Sequence, residues 1–228
     1  MSVVTVPDGT EIVLNGENTI VQTDTGDSYT YVLSAVNNQE VNCDGTMTIS
    51  GDGVLNAENR STDSMARSLG GSIILNGGTV NATGTVKTDS LEIHNDGVLN
   101  ANASATSYDG AAVNVSGSIT VDGNGSLNAV GCAIENQDIM NTAILLNGNK
   151  GSKISVTGNG SITVPESNGA RYGICYDVDR RRINAEISGK VTAYGTMCGI
   201  SGINLIMSGT GSVYATGDTL GIDNTDPI

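Results

Sequence analysis

The chain has 228 residues, 31 of them glycine, with no tryptophan or phenylalanine and a formal net charge of −14. That charge excludes partners bound through clustered Lys and Arg, nucleic acid above all, and disfavours an anionic membrane surface. It leaves room for divalent cations, and a core without phenylalanine points to stacked Leu, Ile, Val and Ala rather than an ordinary globular interior.

From Met1 to Ile20 there is no Lys or Arg and no continuous apolar stretch, so no Sec-type signal is legible. An extracellular or cell-surface location is expected if a signal peptide was removed. Otherwise a phage virion is expected, whose proteins are made without one. No apolar run approaches a membrane span, and Ile144-Leu-Leu146 is typical of the longest. Residues 1–42 repeat poorly. Ile12-Val-Leu14 and Ile20-Val21 read as a degenerate first rung, and Tyr29 to Ala35 as part of an N-terminal cap. Residues 43–228 read as the rungs of one continuous domain.

A nine-residue phrase then recurs. It runs Ile49-Ser-Gly-Asp-Gly-Val-Leu-Asn-Ala57, then Ile93 to Ala101, Val121 to Ala129, Val156 to Val164 and Met207 to Ala215, with shortened copies at Leu75 to Ala82 and Ile187 to Ala193. The seven copies align into columns. One holds Ile49, Leu75, Ile93, Val121, Val156, Ile187 and Met207. A second holds Leu55, Val80, Leu99, Leu127, Ile162, Val191 and Val213, with Ala or Val two residues later. Apolar residues at a spacing of two on both sides of a Gly turn predict two short strands, each burying one face. A third strand is expected at Ala111-Ala-Val113, Cys132-Ala-Ile134, Tyr172-Gly-Ile174, Cys198-Gly-Ile200 and Leu220-Gly-Ile222. The repeat interval varies, from 19 residues between Val80 and Leu99 to 35 between Leu127 and Ile162. A solenoid tolerates this, because one rung can carry a long loop without disturbing its neighbours. The expected architecture is all-β: a right-handed parallel β-helix, three-sided, of about seven or eight rungs. The chain reaches Ile228 with no capping element after the last expected strand, so assembly partners or a homo-oligomer are expected at that rung, around Ile222.

Each candidate for chemistry has a plainer reading beside it. His94 is the only histidine and falls in an outward column with Ser50, Asp122, Thr157, Ser188 and Ser208. It reads as a solvated surface residue, which removes the base that a Ser/His or Cys/His nucleophile would need. Cys43, Cys132, Cys175 and Cys198 contain no C-x-x-C pair. Cys132 and Cys198 read as one inward column with Tyr172 between them, two rungs apart and beyond disulfide reach. Arg180-Arg-Arg182 after Asp177-Val-Asp179 reads as a solvated loop, against the alternative of a remnant lyase site. Asp52, Asp96 and Asp122 stand at corresponding corners and are candidate Ca²⁺ ligands, with a solvated turn as the plain reading. No EF-type spacing is present, and the metal site stays undefined.

The outward column between the Leu and Ala positions is Asn56, Asn81, Asn100, Asn128, Thr163, Thr192 and Tyr214. It reads as a hydrogen-bonded amide ladder. The functional reading is a flat polar face with a repeat of about 4.8 Å. Tyr194 and Tyr214 are expected to point outward from this sheet on adjacent rungs. Aromatic faces beside amides and hydroxyls suit sugar rings, so the expected ligand-binding residues are Tyr194, Tyr214, Thr192, Thr163 and Asn128.

The unit Ile-x-Gly-x-Gly-Ser-Leu-Asn-Ala followed by Ala/Gly-Ile resembles bacterial carbohydrate-binding right-handed β-helix domains, pectate-lyase-like but non-catalytic, over roughly Met47 to Asn224. The resemblance implies a cell-surface binder of plant cell-wall polysaccharide, some members of the family carrying Ca²⁺. Three readings follow: a non-catalytic polysaccharide-binding module with no obligatory cofactor, a structural phage virion or assembly component (fibre, spike or decoration protein), and, last, a polysaccharide lyase.

Overall fold

The computed structural model describes residues 2–23, 31–37, 43–61, 66–103, 111–133, 141–148, 151–167, 169–176 and 182–223. They form 25 strands and no helix. The strands build three parallel sheets, A with nine strands, B and C with eight each. The chain visits A, B and C in turn. It completes eight rungs of a three-sided right-handed parallel β-helix and begins a ninth with Leu220–Asp223.

The inward columns hold together because every strand pairs in parallel with its equivalent one rung away, with one shift of register between Thr85 and Val86. In sheet A, Val4, Leu33, Leu69, Val86, Val113, Ile144, Ile174, Ile200 and Ile222 are successive partners. In sheet B, Ile49 to Met207 pair as the repeat predicts. In sheet C, Leu55 to Val213 do the same. The three columns meet in one apolar core, in which Leu33, Ile49, Leu75, Ile93, Leu99, Leu127 and Ile144 are almost wholly buried.

The structure corrects two expectations. The segment expected in an N-terminal cap includes Tyr31–Val36, which is a strand of sheet A paired with Ser2–Pro7 below and Arg67–Gly70 above. Together with Thr10–Leu14 and Glu17–Gln22, which contain the expected first-rung residues Ile12-Val-Leu14 and Ile20-Val21, Ser2–Pro7 makes a complete first rung. The second concerns the third strand expected at Cys132-Ala-Ile134. Cys132 and Ala133 lie in the connection after Ser126–Val130, Ala133 is exposed, and Ile134 is outside the described residues. The sheet A strand of that rung is Thr142–Leu146, with Thr142 beside Tyr172 and Ile144 beside Ile174. The same Ala-Ile pair occurs in both places. Register against Val113–Val115 and burial of Ile144 and Leu146 select the second. Cys198 therefore shares its column with Tyr172 and Thr142, not with Cys132.

The three corners differ. Between sheets B and C no connection exceeds the four residues from Val121 to Ser126, whereas eleven separate Val130 from Thr142 at the corner leading into sheet A. The tight corner depends on positive φ. Gly51 has φ 98°, and a Cβ there would lie 2.2 Å from the Leu14 carbonyl oxygen. Asn95, at φ 55°, fills the same role without being glycine, as its short polar side chain permits. All the long connections flank sheet A, whose outward residues Ser34, Asn114 and Cys175 are as buried as its inward ones. Sheets B and C are left as the two presented faces.

Leu127 is fully buried between Leu99 and Ile162. Leu127→Ala should lower unfolding free energy by about 2–5 kcal/mol in chemical denaturation, through lost transfer and a cavity the stack cannot close.

Candidate functional site

Sheet C carries the outward polar column in register from Asn56 to Tyr214. Its first half satisfies itself. Asn128 Nδ2 donates to Asn100 Oδ1 at 2.9 Å, Asn100 Nδ2 to Asn81 Oδ1 at 2.9 Å, and Asn81 Nδ2 to Asn56 Oδ1 at 2.8 Å. Asn56 Nδ2 donates to Glu17 Oε1 at 3.1 Å. Every amide points its donor toward the N-terminal end, so Asn128 Oδ1 heads the ladder with Thr163, not another amide, as its neighbour in register.

Beyond Asn128 the column changes character to Thr163, Thr192 and Tyr214. Tyr214 is 57% exposed. Tyr194 stands two residues past Thr192 and pairs with Thr216, which brings it diagonally against Tyr214. The ring centroids are 5.7 Å apart and the planes 59° from parallel. A hydrogen bond to Tyr214 holds the Tyr194 phenol above its ordinary pKa, and the Glu166 charge adds to this. All five expected binding residues thus lie on one face, four in a single column and Tyr194 beside it. Lys190, in the adjacent column next to Ser161 and Ser212, is also exposed on this sheet.

The remaining candidates lie elsewhere. His94 is on sheet B, outward as expected, but it is engaged. Its Nδ1 is 2.9 Å from Asp122 Oδ1 on the next rung, and its Nε2 is 3.0 Å from Glu92 Oε2 on its own strand. Desolvation opposes the imidazolium, yet the hydrogen bonds and charges of Asp122 and Glu92 outweigh it and raise the pKa. The three corner aspartates do not converge. Asp122 faces His94, Asp96 accepts from Asn124 Nδ2 at 2.9 Å, and Asp52 is exposed at the second rung. Among the described residues no three His, Cys, Asp or Glu side chains gather where a metal ion would be held. Cys43, Cys132, Cys175 and Cys198 are all thiols, and burial pushes Cys132 and Cys198 above the ordinary range. Asp177, Asp179, Arg180 and Arg181 lie outside the described residues; Arg182 is half-buried just before the strand Ile183–Ile187.

Sequence reading missed a second amide ladder along the tight corner. Asn95 Nδ2 donates to Asn76 Oδ1, Asn124 Nδ2 to Asp96 Oδ1, and Asn159 Nδ2 to Asn124 Oδ1 at 3.0 Å. The recurrence of Asn or Asp in the Gly turns was its signal.

Fold and face together define a β-solenoid with a polar face that changes from an amide ladder to hydroxyls and tyrosines. Compared with family models, curated proteins and solved structures, the chain finds no match.

His94 generates a pH dependence. Its folded pKa is raised above the unfolded value, so its stabilisation is full below pH 6.5 and is lost as pH rises through the folded pKa. The melting-temperature gap between the wild type and His94→Asn should be widest near pH 5.5 and close by pH 9.

Proposed function

We propose that the protein is a non-catalytic carbohydrate-binding β-solenoid acting at a bacterial cell surface, with polysaccharide bound on sheet C. The observation that carries this reading is the juxtaposition of half-buried Tyr194 and exposed Tyr214, ring centroids 5.7 Å apart, with Thr192 and Thr163 in the register column of Tyr214. Phenol rings offer faces to the C–H surfaces of sugars, and the hydroxyls and the Asn128 carbonyl offer partners to sugar hydroxyls. The stack holds these groups in place before any ligand arrives, so little ordering entropy opposes binding. Rigid side chains on strands also suit recognition without chemistry. The one histidine is on another sheet with both ring nitrogens taken up by carboxylates.

A second reading has its own observation. Outward on sheet B, Val13 is 68% and Ile206 47% exposed. Exposed apolar side chains on a sheet face favour contact with another protein, as in a fibre, spike or other virion assembly.

The double change Tyr194→Ala with Tyr214→Ala should weaken glycan binding at least tenfold, about 1.4 kcal/mol, with unchanged circular dichroism and denaturation midpoint. A folded double variant of full affinity would rule out this face. A wild type that binds nothing on a glycan array, with or without Ca²⁺, would leave the assembly reading.

Pectin, alginate and hyaluronan incubated with the protein should yield no unsaturated or reducing sugar. Release that disappears when Arg181 is changed would overturn the non-catalytic assignment.

A further inference from the structure

The geometry of sheet C points to a narrower ligand, and we infer that it is a single, uncharged polysaccharide chain lying along the rod axis, rather than a crystalline glycan surface or a polyuronate. This rests on the reading that sheet C binds carbohydrate.

Three observations carry it. The first is the tilt. Flat faces of packed glycan chains need coplanar aromatic rings, so that every ring meets a C–H face at once. The Tyr194 and Tyr214 rings touch each other with planes 59° from parallel, so both cannot lie flat on one planar glycan surface. A single chain can twist to follow the two rings, which chains locked in a packed surface cannot.

The second is the direction of the polar groups. Asn128, Thr163, Thr192 and Tyr214 are successive partners in register, so they form a line perpendicular to the strands with one group per rung. The rung spacing of about 4.8 Å is close to the advance of one ring in an extended β-linked chain. A chain laid along that line meets a fresh hydroxyl, amide or phenol at each ring. Four rungs therefore present about four subsites. The line stops on the other side of Asn128, where Asn100, Asn81 and Asn56 have spent their amides on one another.

The third is charge. A polyuronate brings one carboxylate per ring, so about four negative charges would enter this face. The cation on the sheet there is Lys190, Glu166 acts electrostatically on Tyr194, and Asp218 is exposed just past Thr216. The protein around them carries −14. Like charges at this range repel unless salt screens them.

The test uses the full chain and defined probes. In native affinity gels, soluble hydroxyethylcellulose or galactomannan should retard the protein, with affinity at least tenfold higher than for polygalacturonate at equal ionic strength. Microcrystalline cellulose and chitin powder should not deplete it from solution. With neutral β-linked oligosaccharides, affinity should rise to about four rings and then level off. Thr163→Val should weaken a four-ring ligand severalfold and leave a two-ring ligand unchanged. Depletion by the crystalline powders without retardation by soluble polymers would overturn the inference, and so would preference for polygalacturonate. Either result would leave the carbohydrate reading standing. An equal effect of Thr163→Val on both oligosaccharide lengths, or no effect on either, would overturn the axial placement. Failure to bind any of these glycans would remove the carbohydrate reading and this inference with it.

Discussion

The structure depends on one constraint: each strand pairs in parallel register with the equivalent strand one rung away. Because the register is kept, side chains in equivalent positions stack on one another in all three sheets. A single rung has no interior, since three short strands around a corner bury little against themselves. Only the stack removes Leu99 or Ile93 from water. The absence of phenylalanine follows from this geometry. Inward positions are filled from above and below at a fixed spacing, and Leu, Ile, Val and Ala fit that spacing without reaching across the core.

The same register sorts the polar residues. An outward asparagine sits over an outward asparagine, and the rung spacing lets one amide donate to the next. Such a ladder satisfies its own groups and offers little to a partner, so the regular half of sheet C is structural. Where the residue type changes to Thr and Tyr the amide ladder ends, and the two tyrosines pair with each other instead. His94 shows the rule on sheet B, where Asp122 one rung above and Glu92 two residues before converge on one ring. Both nitrogens of that ring are taken up by its neighbours.

Loop placement decides which faces remain open. The tight Gly corner between sheets B and C never carries an insertion, and the corners flanking sheet A carry them all. Sheet A accordingly buries outward residues such as Ser34, Asn114 and Cys175, while the outward column of sheet C runs from half-buried to exposed. A rigid sheet suits a ligand that repeats with the rungs, which is the physical link from this fold to the polymer ligand we propose.

The sequence by itself determined the inward and outward columns of sheets B and C, the Gly corner between them and the number of rungs. A period of two beside a Gly turn leaves one way to bury the apolar residues, and stacking then aligns the copies. It also placed Tyr194 and Tyr214 on one face, because outward positions alternate with inward ones. Tertiary structure decided what local pattern does not encode. It chose Thr142–Leu146 over Cys132-Ala-Ile134, since identical Ala-Ile pairs differ only in the register they can make with Val113–Val115. It drew Tyr31–Val36 into sheet A through pairing on both edges, where the sequence shows only a weak alternation. It set the corner amide ladder, the engagement of His94 and the tilt of the tyrosine rings, because each depends on a side chain one rung away, 19 to 35 residues distant in the chain.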